Sequence, residues 1–394
     1  MIVTVPPAGT AAAGQPMPPS VPATSHLPAP PAPSLPPGPV EFPLRWLLDH
    51  ASLPIQYRAL VDVARVPGAE RLAWMPFASP SALLLAVQQR SDGTWNQAML
   101  TLPPARAEHF EGVGTIHAFR RLLEYGFDRE SPPLVRSRRI LFRLLAEDDD
   151  PSLLYELAPR GRPDPEVTHW GRTILREAAA AALAQAGYEG DPRLRGAARR
   201  ILERVTAFVR GPAAQKPFVR AGNQHVLAPD AMPPSIYTLL MLAHMPLFRN
   251  EQYDSIEAIY QYVSQPLPRQ EPVMLVAKRQ VAAPHLVLGD MLPHRNAADE
   301  DVPWALTWLE LMARLGFLRR NEGWLRLFDR FLEDRDAQGI WHPHKGTAVV
   351  RSTNPLTWAG YPLESHVAGD VRWTDVTFRL GLIARLLGRT VEVA

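Results

Sequence analysis

Cysteine is absent from all 394 residues. That excludes disulfides, thiolate nucleophiles and thiolate metal sites, and leaves the redox compartment open. Lysine is scarce: of 42 basic residues only Lys216, Lys278 and Lys345 are lysine, so arginine carries almost all the positive charge. Arginine suits carboxylate and phosphate recognition better than lysine, although an Arg-, Ala- and Pro-biased composition accounts for the same excess. The net charge is +2 and no run of like charges suggests a nucleic-acid arm. No basic stretch followed by an apolar one opens the chain, so no secretion signal is expected. No apolar run approaches the roughly 20 residues of a membrane-spanning helix, and a cytoplasmic location is expected by default. Neither a Gly-rich phosphate loop nor a Gly-x-Ser-x-Gly elbow is present, so no cofactor is expected.

What is there divides in two. Residues 1–43 hold 14 of the 42 prolines. Such a stretch buries too little apolar surface to offset its ordering entropy, so residues 1–41 are expected to form a disordered or polyproline-II tail. Residues 42–394 are 1 domain by pattern, and that pattern is helical throughout. Candidate helices run over 42–50, from Pro54, 82–89, 112–125, 132–147, 168–186, 192–210, 234–245, 251–263, 303–315, 322–334 and 371–387. Ser79-Pro80, Ser131-Pro132 and Asp191-Pro192 mark starts, each a capping residue followed by proline in the first turn. Asp150-Pro151-Ser152 reads as another cap, after the acidic run Glu147-Asp148-Asp149. Alternating patterns are short, at Val273–Val276 and Thr347–Val350. The class expected is all-α.

Every second helix begins near residue 54, 111, 168, 234, 303 or 371, at intervals of 57, 57, 66, 69 and 68 residues. A fixed period of this kind signals stacked supersecondary units. Here each unit is a helical hairpin, and about six hairpins make either an open solenoid or a closed double ring.

The loop Gln89-x-x-x-Gly93-x-Trp95 resembles the repeat signature of the terpenoid cyclase and protein prenyltransferase toroids. A second copy, Arg335 to Trp341, keeps Gly339 and Trp341 but has arginine for glutamine. The resemblance implies an (α/α)6 toroid with these two loops near its seam. It also implies a ligand cavity at the first turns of the inner helices. Those turns carry Tyr57; Thr115 and His117; His169, Trp170 and Arg172; Ser235 and Tyr237; Trp304, Thr307 and Trp308; and Arg372, Trp373 and Asp375. Aromatic walls suit apolar or isoprenoid-like ligands; the same rings also suit packing between helices.

Asp299-Glu300-Asp301-Val302 resembles the Asp-x-Asp-Asp acid motif of one cyclase class, with Asp301 as proton donor beside Asp299. Val302 departs from it, and Asp301 before Val302-Pro303 equally reads as a helix cap. His342 and His344, followed by His366 and Asp370, fix no third ligand, and no metal site is expected. The zinc of the prenyltransferases needs a cysteine that this chain lacks. Three functions stay open: a terpenoid-cyclase-like or prenyl-binding toroid, with Asp301, Asp299 and Asp375 as candidate acids; a carbohydrate-active toroid with two carboxylates from Glu166, Asp301 and Asp375; or a non-catalytic repeat scaffold. The reading carried forward is a toroid binding an apolar or isoprenoid-like small molecule in a central aromatic cavity, with turnover unassigned.

Overall fold

Proline and small polar caps decide where the helices of this computed structural model begin. It describes residues 38–103, 109–146, 150–158, 164–292, 301–343, 354, 356–364 and 369–394. The tail up to residue 37, Glu147 to Asp149, Asp299, Glu300, His344, the Thr347–Val350 pattern and His366 lie outside the described residues, as does the Asp370 side chain. The described residues form a mostly helical unit with 14 α-helices and a few small strands.

After β1 (Val40–Phe42) come α1 (Leu44–His50), α2 (Leu53–Arg58, continued by a π-helical stretch Ala59–Ala64), α3 (Met75–Ala78) and α4 (Pro80–Val87). Then follow α5 (Thr115–Glu124), α6 (Pro132–Leu144), α7 (Pro165–Gln185) and α8 (Pro192–Arg210). Hairpin β2 (Phe218–Ala221) and β3 (Gln224–Leu227) precedes α9 (Ile236–Ala243), α10 (Pro246–Glu251) and α11 (Tyr253–Val263). Hairpin β4 (Val273–Val276) and β5 (Arg279–Ala282) precedes α12 (Val302–Leu315), α13 (Glu322–Glu333), α14 (Thr374–Leu386) and β6 (Val391–Val393). Caps follow the sequence logic: Asp164, Asp191, Ser235, Asp301 and Asn321 each accept a first-turn backbone N–H through the side chain.

Three details differ from expectation. Asp150 starts no α-helix; its carboxylate accepts from the Ser152 amide (2.8 Å) and hydroxyl (2.6 Å), closing a tight turn. The stretch before residue 263 is two helices, broken at Gln252. The alternating stretch Val273–Val276 is strand β4, in an antiparallel ladder with β5; the all-α expectation left out the antiparallel β2–β3 ladder and the β1–β6 ladder, parallel with Val40 opposite Val391 and Phe42 opposite Val393.

Neighbour relations among the alternate helices return to their start. Helix α5 packs on α7, α7 on α9, α9 on α12, α12 on α14, and α14 on α2 with its π-helical stretch. Arg58 of α2 then bonds Glu124 of α5 (Nη1 to Oε2, 2.6 Å). The α7–α9 contact is the most extensive, because Ala178 to Ala184 give α7 a side small enough for close approach.

The two glycine–tryptophan loops are built alike. The Gln89 side-chain amide donates to the Gly93 carbonyl (3.2 Å), the Pro133 carbonyl (2.8 Å) and the Ser137 hydroxyl (2.8 Å). Gly93 sits at φ +86 and Gly339 at φ +80, where a side chain would be strained. The Trp95 amide donates to Thr115 Oγ1 and the Trp341 amide to Thr377 Oγ1, both 3.1 Å, the threonines lying in the first turns of α5 and α14. Both tryptophans are buried. In the second copy Arg335 Nη1 donates to the Glu41 carbonyl (2.7 Å). That arginine therefore ties the late loop to β1, where the first and last strands pair. Gln89→Ala is expected to lower stability by about 1.5 kcal/mol, read from the urea midpoint; an unchanged midpoint would show that the clasp contributes nothing.

Candidate functional site

One face of α7 and the two hairpins border an apolar cleft of about 490 Å³. Helix α7 supplies Glu166, Trp170, Thr173, Ile174 and Glu177, spaced by three and four so that they share a face. The opposite wall is Val226, Leu227, Met232, Met274 and Leu286, from β3, the loop after it, β4 and the loop after β5. The size and the mostly apolar lining with a few polar groups are those of small-molecule sites.

Glu177 is buried at this wall and has its bonds filled. One carboxylate oxygen pairs with Arg204, and the other accepts from the hydroxyls of Ser235 and Thr238. Two donors are unfilled: the Trp170 indole N–H and Arg204 Nε are buried without an acceptor. His285 lies 6.3 Å from Tyr237, ring planes 30° apart. Burial pushes the His285 pKa down and raises that of Tyr237 to about 12, so both are neutral near pH 7.

The other first-turn residues lie elsewhere. Trp304 and Trp308 are 6.0 Å apart, Trp308 meets Trp324 edge-on at 6.1 Å, and all three are buried. Trp373 packs against Trp341 (5.8 Å) and His342 (5.8 Å), with the Arg372 guanidinium over its ring at 4.2 Å. Arg172 is buried and donates to the Ser152 and Arg143 carbonyls, holding the approach to α7. Tyr57 lies against Gly126, just past α5. His117 is fully buried on α5, 6.3 Å from Trp358. Of the aromatic and basic residues named for the ligand cavity, the structure places His169 and Trp170 on the cleft.

The candidate acids also separate. Asp301 is exposed and its carboxylate accepts the Trp304 amide (3.1 Å), the helix-cap role. Glu166 is exposed in the first turn of α7. Asp375 is buried, accepts the Leu363 and Glu364 amides (2.9 Å each), and has Glu364 as carboxyl neighbour. Glu364 in turn accepts the Ser52 amide (2.8 Å) and Thr374 hydroxyl (3.0 Å). Burial, then the Asp375 charge, lifts the Glu364 pKa to about 7; Asp375 is raised by burial too. Sequence reasoning missed Glu364, which stands in a loop with no periodic pattern around it.

Where α2, α5, α12 and α14 meet, the side chains are charged. Glu124 accepts from Arg58 (2.6 Å) and Arg379 (3.1 Å), and Glu310 pairs with Arg379 and with Arg314 (2.8 Å). Gln185 of α7 donates to Glu124 (2.6 Å) and accepts from Arg120 Nε (2.9 Å). Burial alone would raise both acids, but the arginines hold Glu124 well below the usual carboxylate range and Glu310 down at about 2. At these helices the structure has a buried ion network.

Among the described residues no helix is long and apolar enough to cross a membrane, and no group of three or more His, Asp or Glu is placed to hold a metal ion. Comparison with protein-family models, curated proteins and solved structures found no match to this chain.

Proposed function

We propose that the helices close into an α/α toroid resembling the terpenoid cyclases and protein prenyltransferases, and that the chain binds an apolar, isoprenoid-like small molecule, with turnover unassigned. The cyclic order of the alternate helices and the paired glycine–tryptophan loops support the toroid. The observation that carries the binding function is the 490 Å³ cleft over α7, with its apolar walls and the two buried donors, Trp170 Nε1 and Arg204 Nε, that lack partners. A ligand with an apolar body and one acceptor oxygen fits that lining. Cyclase-type proton donation finds no support in the placement of Asp301, whose carboxylate is engaged as a cap.

Farnesol titrated into the protein, followed by tryptophan fluorescence, tests this. Thr173 lines the cleft and is half-buried, so Thr173→Arg should fold normally while placing a charge beside the ligand. The expected result is saturable binding that weakens by about tenfold or more in that variant, equivalent to about 1.4 kcal/mol. No saturable binding to the wild type, or equal affinity in Thr173→Arg, would remove the cleft as the site.

A further inference from the structure

The cleft over α7 is balanced in charge but not in hydrogen bonds. Its charged lining side chains are Glu166, Glu177, Arg204 and Arg220. Glu177 is 6% exposed; its carboxylate pairs with Arg204 and accepts from the Ser235 and Thr238 hydroxyls. Glu166 and Arg220 are exposed and opposite in sign, and His169 is exposed as well, so water screens all three. Burial pushes the His285 pKa down, so that ring adds no cation near pH 7. The lining therefore offers no surplus positive charge away from solvent.

Two donors remain. The Trp170 indole N–H and Arg204 Nε are buried, belong to lining residues and have no acceptor among the described residues. A buried N–H left unbonded costs free energy that a ligand oxygen recovers. A carboxylate or phosphate would make the same bonds, but it brings a charge, and Glu177 has already matched the charge of Arg204. Moving an unmatched anion out of water against Leu227, Met232 and Met274 is costly. A neutral oxygen avoids that cost.

We propose, resting on the cleft as the site of an apolar ligand, that it selects a neutral oxygen at the ligand's polar end. An alcohol, aldehyde or ketone is taken, and the carboxylate or phosphate ester of the same carbon chain is rejected. Glu177 sets this preference by holding Arg204, and Trp170 donates to the oxygen. A site built to bond an oxygen also discriminates against the analogue that lacks it.

Equilibrium dialysis of the full chain at pH 8 against labelled farnesol, farnesoate and the hydrocarbon farnesene tests the proposal. Wild type should hold farnesol about tenfold or more tighter than farnesoate, which is ionised at this pH, and tighter than farnesene. Glu177→Gln keeps an acceptor for the Ser235 and Thr238 hydroxyls but leaves Arg204 unmatched. It should reverse the order, so that farnesoate binds more tightly than farnesol. Trp170→Phe should weaken farnesol severalfold more than farnesene. Wild-type affinity for farnesoate equal to or above that for farnesol overturns the proposal and leaves the cleft in place. No saturable binding of any of the three removes the cleft itself, and the selection with it. An unreversed order in folded Glu177→Gln overturns the role of Glu177. If that variant does not fold, the wild-type ratio and Trp170→Phe decide, and equal losses of farnesol and farnesene in the latter overturn Trp170 as the donor.

Discussion

Glu124→Ala lowers stability by about 4 kcal/mol, the scale expected when one partner of a buried ion pair is removed. The loss comes less from the missing attraction than from what remains. Arg58 and Arg379 both bond Glu124, and both are buried. Without the carboxylate, two guanidinium groups stay in the core with part of their compensation gone. Glu124→Gln keeps the shape and one acceptor and should cost less than Glu124→Ala. Arg379→Met in the Glu124→Gln background should deepen the loss, because it also removes the buried Arg379–Glu310 pair; a double-mutant cycle in urea measures this. The acid limb follows from the same contacts. Glu310 has its pKa depressed to about 2 and Glu124 lies lower still in direction. The stability they contribute is present above the ordinary carboxylate pKa of 4.5 and is lost as pH falls through the folded values. A Glu124→Ala protein as stable as wild type would show that the network does not hold the helices together.

Glu364→Gln should act in the opposite direction and in a different pH window. The folded pKa of Glu364 is raised from 4.5 to about 7, so between those values the folded chain holds a proton that the unfolded chain has lost. Stability is therefore full below about pH 4.5 and declines as pH rises toward 7. Glutamine cannot ionise, yet its carbonyl can still accept from the Ser52 amide and the Thr374 hydroxyl. The variant should match wild type at pH 4.5 and exceed it by about 3 kcal/mol at pH 8. Thermal unfolding across that range reads the difference. Parallel curves for the two proteins would mean that Glu364 is ionised in the folded chain at all these values.

Much of the framework was legible because it rests on local chemistry. Asp191-Pro192, Ser79-Pro80 and Asp301 before Val302-Pro303 announce helix starts, and each starts one. The Gln89 to Trp95 loop signals a clasp, and its glutamine makes three bonds there. Strand β4 was legible as the alternating stretch Val273–Val276, but hairpin β2–β3 and the turn from β4 to β5 were less so. Strand β2 is partly exposed at both ends and exposed between, so no alternation marks it; Gly222 at φ +62 is the one local hint of its turn. The β4–β5 turn places Ala277 and Lys278 at φ +47 and +64, left-handed positions that neither residue type advertises. Asp150-Pro151 carried the same signal as the true caps, but Ser152 competes for the carboxylate and a turn forms instead.

The site was least legible where it depends on helices far apart in sequence. Glu124, Glu310 and Arg379 look like ordinary helix charges in sequence. Only the approach of α2, α5, α12 and α14 buries them together. Tryptophans repeating at helix starts suggested a shared cavity wall, whereas Trp308 and Trp373 meet Trp324 and Trp341 edge-on. Trp170 differs because α7 faces two hairpins across an open cleft there. Met232, Met274 and His285, which complete that wall, come from segments distant in sequence and share no motif.

The most direct test of where the ligand sits is a crystal structure with a bromoalkyl alcohol soaked in, read from the anomalous signal of bromine. The account predicts one ordered bromine in the cleft, against Ile174, Met232 and Met274. A bromine among Glu124, Glu310 and Arg379, with the cleft empty, would contradict it.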